Sequence, residues 1–327
     1  MPFFEIIPDD THFDFLGRRR ICIAISCALI VIGAVWAIAF GVPMGIDFVG
    51  GTELQVRFED AVAVDEARIR EVASAAGFAA EVVRFGEADS KEYLIKYKDE
   101  GESASGDGLG SNTRVIQLED AFRSQIGAFE EQRVEYVGPK VGEELRADGI
   151  NALLLSALAI LVYIAFRFTS RYAPGAVVAV VHDLAITAGL LVIAGVEFDL
   201  RILAAMLAIL GYSLNDTIII YDRIRENLEL HTKRDLEELL NTSVNQTLSR
   251  TVLTSATTFL AVVALYLLGG EVIRPFAFAM MIGVFVGTYS SIFIASPLLL
   301  FLEQRYGAAR GGGKGTAPGK ARRTAGA

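Results

Sequence analysis

The sequence has few of the residues that build metal centres and hydrolytic active sites. Its 327 residues include two cysteines and three histidines. Cys22 and Cys27 share one apolar run, so they cannot staple an extracellular loop, and their spacing is not that of metal ligands. The motifs G-x-x-x-x-G-K-[ST] and H-E-x-x-H are absent, as is a credible nucleophile–base pair. We therefore expect no catalytic residue, metal or cofactor, and interpret both cysteines as apolar filler in a helix.

Charge is also scarce. Charged residues make up 21% of the chain and hydrophobic residues 53%, which excludes a disordered chain. The apolar residues gather in blocks of roughly twenty, the length of a helix that crosses a bilayer. This pattern predicts an α-helical polytopic membrane protein. The net charge of −9 does not indicate a nucleic-acid partner, because the acidic residues concentrate between 53 and 148 and the basic ones near the C-terminus.

Six apolar blocks are predicted to span the membrane. The first covers residues 21–40, and five more lie within 150–303, over 150–166, 173–194, 202–221, 251–268 and 276–302. Arginines 18–20 and the A-x-A pattern at 37–39 also fit a signal peptide, but the apolar run is too long, which favours an uncleaved anchor. Pro297 predicts a tilt, a kink or an early end in the last block.

The distribution of lysine and arginine predicts the orientation. These residues concentrate before the first block, in alternate loops and in the C-terminal tail. By the positive-inside rule, both termini are expected in the cytoplasm. Residues 1–20 then form the cytoplasmic N-terminus, about 222–240 a cytoplasmic loop, and 304–327 a disordered basic tail, solvated or weakly attracted to anionic lipid. Residues 41–149 are expected in the periplasm.

The loop at 41–149 is long enough for one small domain. Strand patterns occur at 54–58, 81–85, 93–97 and 133–137, and helix patterns at 65–76 and 114–126. Asn112 or Thr113 is the predicted N-cap of the second helix. The order βαββαβ predicts a ferredoxin-like α+β domain. The Gly-, Ser- and Asp-rich stretch at 99–112 is predicted to be a mobile loop.

Two charged residues stand at membrane depth, where a charge costs about 2.5–3.5 kcal/mol on insertion scales. Asp216, flanked by Asn215 and Thr217, lies in the fourth block. Arg250 begins the fifth, on a predicted polar helical face with the residues Ser243, Gln246, Thr254 and Thr257. At 1.5 Å per residue, both lie about 7.5 Å deep, so an ion pair is feasible.

Three interpretations of Asp216 and Arg250 stay open. They form an ion or proton pathway, or a structural ion pair that locks two helices, or Asp216 simply faces the interface. We favour the pathway, because a carboxylate beside a wet cavity can bind and release protons, whereas an arginine stays charged.

Two further features leave alternatives open. His182 and Asp183 are neighbours midway along the third block, and they form either a packed hydrogen-bonded pair or a relay. Because adjacent residues point in different directions on a helix, we expect that they do not serve one site directly. Gly50-Gly51 and Gly138-Pro139 flank the outer domain as hinges or ordinary turns, and physics alone favours turns.

Four segments together resemble the SecF members of the SecD/SecF family of protein-export membrane proteins. They are GIDFVGGT at 45–52, VGPKVGEEL at 137–145, YSLNDTIIIYDRIREN at 212–227 and SVNQTLSRTVLTSATT at 243–258. The resemblance covers residues from about 13 to 303, and the stretch at 99–112 and the basic tail have no counterpart. Asp216 and Arg250 fall on the family's membrane aspartate and arginine, which favours their role in a pathway.

The resemblance implies a pairing with SecD in a twelve-helix bundle similar to RND transporters, of which this chain supplies half. It also implies association with the SecYEG channel and YajC in the bacterial inner membrane, where the proton gradient helps to pull preproteins outward. Gln246, Thr254 and Asp183 are expected to support the pathway. The coupling ion is H⁺ or Na⁺. The alternatives are half of an RND-type solute exporter, disfavoured by the single small outer domain, and a purely structural subunit.

Overall fold

A computed structural model describes residues 11–59, 61–85, 90–98, 109–168, 172–230 and 235–306. Most of the predicted mobile loop and nearly all of the predicted basic tail lie outside these residues. The described chain forms a helical bundle and one small α/β domain. Below, the domain side of the bundle is the end that carries this domain, and the far side is the opposite end.

Six helices are long and apolar enough to cross a membrane, which confirms the polytopic fold class. They are α1 (Arg19–Phe40), α5 (Pro139–Arg167), α6 (Ala173–Ile193), α7 (Leu200–Leu230), α8 (Leu236–Leu268) and a last span composed of α9 (Gly270–Ser290), a π-helical turn (Ser291–Ala295) and α10 (Ser296–Tyr306). The apolar stretches of α6, α7 and the last span are half or more buried, so these helices form the centre of the bundle. Those of α1, α5 and α8 are mostly exposed at its edge.

Several helices extend beyond the apolar blocks that predicted them. α5 begins at Pro139, well before residue 150, because proline is well suited to the first helical position. α7 continues to Leu230, so much of the predicted loop at 222–240 is helical. Hydropathy marks the length of helix that lies in lipid, whereas polar residues continue the helix into water. The last span does not end early at Pro297, and the π-helical turn directly precedes it.

The α/β domain has the predicted order βαββαβ. Its elements are β1 (Gly51–Phe58), α3 (Glu66–Ala75), β2 (Ala80–Phe85), β3 (Glu92–Tyr97), α4 (Leu109–Gln125) and β4 (Phe129–Val137). The sheet is antiparallel in the order β2-β3-β1-β4, the ferredoxin-like arrangement. α3 is capped by Asp65, whose carboxylate accepts a hydrogen bond from the Arg68 amide at 2.8 Å. The predicted cap of α4 at Asn112 or Thr113 is wrong, because the helix begins at Leu109.

One face of the sheet carries the core of this domain. Leu54, Val56 and Phe58 alternate along β1 and are buried against Ile69 of α3 and Phe122 of α4. The period of two places the intervening residues on the other face, which turns toward the bundle. The domain is therefore a two-layer unit with one polar face directed at the membrane helices.

The chain between α1 and β1 fastens the α/β domain to the start of α7. It contains the short helix α2 (Ile46–Val49). The Gly45 amide donates to the Phe198 carbonyl and the Phe198 amide donates to the Pro43 carbonyl, both at 2.8 Å. The Asp47 carboxylate accepts from the Leu200 amide at 3.0 Å and so satisfies the first turn of α7. A displacement of α7 therefore moves the segment that leads into β1 of the α/β domain.

The segment before α1 is held on the far side of the bundle by α8. Asn241 accepts a hydrogen bond from the Phe15 amide and donates to the Phe13 carbonyl, both at 2.9 Å. Asn245, one turn later, accepts from the Phe13 amide at 2.9 Å. Leu16 is fully buried in the bundle core. Two asparagines of α8 thus hold the segment that precedes α1.

Candidate functional site

Asp216 is the membrane carboxylate that faces α8 and α9. Its side chain is on α7, and the residue is 1% exposed. The Ser255 hydroxyl of α8 donates to Asp216 Oδ2 at 3.3 Å, and it also shares a 2.7 Å hydrogen bond with the Thr288 hydroxyl of α9. The Tyr212 hydroxyl donates to Ser255 Oγ at 3.2 Å. Three helices therefore meet around this carboxylate through hydroxyl groups.

Small residues on α9 allow α7 to approach closely at this level. A Cβ atom on Gly287 would lie 3.1 Å from the Ser213 Cβ atom, and one on Gly283 would overlap the Ile209 side chain. Close approach through glycine is a common way to pack membrane helices. It brings the polar side chains of α7 and α9 within hydrogen-bond reach of each other.

The polar residues of α8 form two stripes where the sequence predicted one. Ser243, Thr247, Thr251 and Ser255 follow one another at steps of four and are buried. A second stripe, with Gln246, Arg250 and Thr257, is exposed at the surface of the chain. The steps of four hydroxyl residues are visible in the sequence, but hydropathy does not say which stripe faces inward.

The structure does not bring Asp216 and Arg250 to ion-pair distance. Within the described residues, no ion pair of 4.0 Å or less joins them. Arg250 lies on the exposed stripe, whereas Asp216 is buried against Ser255. The structural ion pair is therefore not formed within this chain, although Arg250 is near enough to act electrostatically on Asp216.

The residues predicted to support Asp216 are spread over three places. Thr217 is buried on α7 and bonds the Ser291 hydroxyl at 3.0 Å, so it contacts the π-helical turn. Gln246 lies at the far side, where it accepts hydrogen bonds from Asn227 and Arg223 at 2.8 Å and 2.7 Å. The Thr254 hydroxyl donates to carbonyls of its own helix at 3.0 Å. Asn215 is exposed, and its side chain hydrogen-bonds the neighbouring Asp216.

His182 and Asp183 form the packed hydrogen-bonded pair that was one of the two alternatives. His182 Nδ1 and Asp183 Oδ1 are 2.8 Å apart, so the expectation that these neighbours do not meet at one site is wrong. Asp183 also accepts hydrogen bonds from the hydroxyls of Ser213 on α7 and Ser290 on α9, the latter at 2.7 Å. Neither serine was singled out in the sequence, because only the fold brings them to α6.

The glycines that flank the outer domain form one packed joint. Gly50 has φ +78°, and a Cβ atom there would lie 2.7 Å from the Pro139 Cα atom. A Cβ atom on Gly142 would lie 2.9 Å from the Gly50 backbone nitrogen. The backbones before β1 and at the start of α5 thus touch directly. Gly138 precedes α5 as its cap, and Gly51 begins β1 with φ +147°.

A cleft of about 550 Å³ separates the polar face of the sheet from the domain side of the bundle. Lys96 of β3 reaches across it, with its Nζ atom 2.5 Å from Glu197 Oε2 and 3.7 Å from Glu53 Oε2. Burial raises the pKa of Glu53 above its ordinary value, and the positive charge of Lys96 opposes that rise. One lysine therefore links the sheet to the loop between α6 and α7.

Metal ligands are not grouped anywhere in the described part of the chain, where no three His, Cys, Asp or Glu side chains come together. The candidate site is therefore a set of membrane-buried carboxylates with hydroxyl partners.

Comparison with known proteins places this site in a family. Residues 117–305 match the family described as "Protein export membrane protein SecD/SecF, C-terminal", and residues 35–62 match the "SecD/SecF GG Motif". Curated relatives carry the name "Protein translocase subunit SecF". The one from Calditerrivibrio nitroreducens is 40% identical over 92% of this chain and 97% of the relative, and the one from Magnetococcus marinus is 45% identical over 90% and 93%.

Solved structures agree with the sequence matches. SecDF from Thermus thermophilus, titled a translocon-associated membrane protein, superposes with a TM-score of 0.79 and 39% identity over 91% of this chain. This chain spans 39% of that SecDF chain. SecDF in a super-membrane-facing form matches with a TM-score of 0.68 and 38% identity over 95% of this chain and 41% of that one.

The bundle, its domain and the matched segments define a multi-pass protein-export membrane protein of the SecD/SecF type. Within that class, the chain belongs to the SecF family of protein translocase subunits.

Proposed function

We propose that this chain works with a SecD partner in the bacterial inner membrane and uses the proton gradient to promote late steps of protein export. In this proposal both termini are cytoplasmic, the α/β domain is periplasmic, and Asp216 binds and releases the coupling proton. The observation that carries the proposal is the environment of Asp216, a buried carboxylate that accepts a hydrogen bond from a hydroxyl and forms no ion pair with a described arginine.

The exposed polar stripe of α8 supports a second membrane subunit. Arg250 and Thr257 would face lipid in the isolated chain, and a charge within a membrane helix costs up to about 2.5–3.5 kcal/mol. A partner with a polar face removes that cost. A SecD half has the appropriate place in the matched SecDF chain, most of whose length this chain does not cover. Arg250 is then a fixed charge at the boundary between the two halves.

Protonation of Asp216 changes the hydrogen bonds that join α7, α8 and α9. The ionised carboxylate only accepts hydrogen bonds, whereas the protonated acid also donates one. A proton on Asp216 Oδ2 turns the Ser255 hydroxyl, which is shared between Asp216 and Thr288, from a donor into an acceptor. A shift of α7 pulls on the chain before β1, because Asp47 and Phe198 join α7 to that chain. The packed joint at Gly50 carries the movement into the domain that handles the emerging preprotein.

The energy of the gradient is sufficient for such a switch. One proton that crosses the membrane supplies about 2.3 kcal/mol per 100 mV from the potential alone. Against an RT of about 0.6 kcal/mol, this shifts a two-state equilibrium by about 50-fold. A domain movement between states that differ by a few kcal/mol lies within that range.

Asp216→Asn tests the proposal in the complex with the SecD partner. The asparagine keeps the size and hydrogen-bonding capacity of the side chain but cannot ionise. We expect membrane vesicles with this variant to lose gradient-stimulated preprotein export while the complex still co-purifies. Asp222→Asn is the matched control, because Asp222 lies on the same helix and pairs with Arg167 at the surface. Normal stimulation in Asp216→Asn would leave this chain with a structural role only.

Two further measurements identify the coupling ion and the partners of the complex. An imposed H⁺ or Na⁺ gradient in otherwise identical vesicles identifies the coupling ion. Co-purification of SecYEG and YajC with the intact complex tests the wider association. An RND-type solute exporter, the remaining alternative, would transport a small solute without SecYEG and would show no gradient effect on preprotein export.

A further inference from the structure

A second carboxylate is buried at the middle of the bundle, away from Asp216. Asp183 is at the midpoint of α6 and is 1% exposed. It shares a hydrogen bond of 2.8 Å with His182 Nδ1, and it accepts hydrogen bonds from the Ser290 hydroxyl at 2.7 Å and from the Ser213 hydroxyl. These partners belong to α6, α9 and α7. The three central helices of the bundle are thus bonded to one carboxylate.

Within the part of the chain that the structure describes, no lysine or arginine pairs with Asp183. Among the described residues, its ion pair is with His182, which is charged only when protonated. An ionised carboxylate without a counter-charge is expensive in an apolar interior. The pair therefore holds a proton, either on the carboxyl group or as imidazolium. This differs from an Asp–Arg pair, in which the cation is permanent.

The second ring nitrogen of His182, Nε2, is available to bind or release that proton. His182 Nε2 is buried and has no hydrogen-bond partner within the described residues, while Nδ1 is engaged by Asp183. The ring stacks on Tyr289 of α9, with centroids 6.3 Å apart at an interplanar angle of 21°. The Tyr289 hydroxyl donates to the Cys22 carbonyl of α1 at 2.7 Å. Nε2 is the free position at which the pair can gain or lose a proton.

Few other titratable groups face the pair. Tyr289 on α9 and, behind it, Cys22 on α1 are the titratable neighbours, and α7 contributes the uncharged Ser213. Asp216 lies one turn beyond Ser213 and bonds toward α8. Each carboxylate therefore has its own set of hydroxyl partners, on different sides of α7.

We propose that His182 and Asp183 form a second proton-binding site of this chain, distinct from Asp216. Ser290, which bonds Asp183, is directly followed by the π-helical turn at Ser291–Ala295, and such turns are frequent at functional sites. Loss of the negative charge on Asp183 weakens the bonds from Ser213 and Ser290, so it loosens α6 from α7 and α9. The coupling of this site to export rests on the proposed function, whereas the proton binding does not.

Nitrogen NMR of histidine tests the binding directly. The chain has three histidines, so ¹⁵N-histidine labelling before reconstitution with an unlabelled SecD partner gives three pairs of imidazole nitrogen signals. His12→Gln and His231→Gln leave only the pair from His182. We expect the His182 nitrogen signals to report a change of protonation across a pH series. We expect Asp183→Asn to shift that change and Asp216→Asn to leave it. The proposed site would be wrong if the His182 imidazole kept one charge state and tautomer at every pH tested. It would also be wrong if Asp183→Asn did not alter the pH response of His182.

Export measurements test the coupling. His182→Gln keeps an amide donor for Asp183 but cannot titrate, and we expect it to assemble normally and lose gradient stimulation. Ser290→Ala removes one hydrogen bond and no titratable group, so it should retain the pH response. Full stimulation in His182→Gln would overturn the coupling. If Asp216→Asn exports normally, the proposed function fails while the His182 titration still stands or falls by itself.

Discussion

The packed glycine joint leads to a quantitative prediction about stability. If Gly50 and Gly142 pack as tightly as the structure shows, adding one methyl group by alanine substitution destabilises the protein, whereas a free hinge would tolerate it. Gly142 lies in the first turns of α5, and its Cβ position is 2.9 Å from the Gly50 nitrogen and 3.2 Å from the Phe48 carbonyl carbon. Both neighbours are backbone atoms, which cannot rotate away as a side chain can. Gly142→Ala must therefore push α5 away from the segment before β1.

The size of the effect follows from two opposing terms. Overpacking costs about 1–3 kcal/mol, and backbone neighbours favour the upper end. Alanine in a helix gains about 0.5–1 kcal/mol over glycine. We therefore expect Gly142→Ala to destabilise the chain by about 2 kcal/mol. Gly50→Ala should cost more, because its positive φ adds about 1–2 kcal/mol and no helix gain offsets the contact with Pro139.

Gly138→Ala is the matched control four residues before Gly142. Its φ and ψ of −63° and 145° suit alanine, and the nearest atom to its Cβ position is the Tyr136 hydroxyl at 3.8 Å. We expect it to be neutral or slightly stabilising. Thermal unfolding of the three purified variants in one detergent should give the order Gly138, Gly142, Gly50 from most to least stable. Equal stability of the Gly142 and Gly138 variants would refute the packed joint.

Three further predictions concern contacts on the two sides of the bundle. Folding raises the pKa of Glu53, so this carboxyl group stabilises the folded state at a pH below its ordinary pKa. That stabilisation is lost as the pH rises through the raised pKa. We therefore expect Glu53→Gln to reduce the fall in thermal stability between acid and neutral pH. Asn241→Ala removes the hydrogen bonds to the Phe13 carbonyl and the Phe15 amide, and it should speed limited proteolysis before α1 by about tenfold per 1.4 kcal/mol lost. Gly33→Leu should separate α1 from α6 and lower the unfolding temperature, because a Cβ atom on Gly33 would lie 2.7 Å from the Gly189 Cα atom.

Each of these has an outcome that contradicts its reasoning. An unchanged pH profile in Glu53→Gln means that this carboxyl group is not buried on folding. Thr242→Ala is the control for Asn241→Ala, since the Thr242 hydroxyl donates to the Glu238 carbonyl of its own helix. Equal proteolysis rates in the two variants would show that Asn241 does not hold the segment before α1. Gly211→Leu is the control for Gly33→Leu, because no atom lies within 4 Å of its Cβ position and its φ is not positive. Equal unfolding temperatures of the two variants would contradict the close contact between α1 and α6.

The fold was largely predictable because its signals are local. Blocks of apolar residues predicted the six spans, and alternation along Leu54, Val56 and Phe58 predicted β1 and its buried face. The helix boundaries were less predictable. α4 begins before its best capping residues and α5 begins eleven residues before its apolar block, because helices continue through polar residues wherever neighbouring elements support them.

The candidate site was predictable in part. Asp216 and Asp183 stood out because charge is costly in the membrane, and both are buried. Their partners Ser255, Ser213 and Ser290 did not stand out, since a serine in an apolar helix carries little signal until its neighbour is known. The pairing of Asp216 with Arg250 was inferred from equal depth, yet depth says nothing about the direction around the helix axis.

The sequence by itself determined what each segment is: six membrane helices, a βαββαβ domain, and the positions at which polar groups enter the membrane. These properties depend on hydropathy and on periods of two or 3.6 residues, which neighbouring residues set. Only the tertiary structure decided which faces meet. It turned Asp216 inward and Arg250 outward, placed two serines against Asp183, and pressed Gly50 against Pro139. Helix rotation is set by packing against residues far away in the chain, and no local pattern records it.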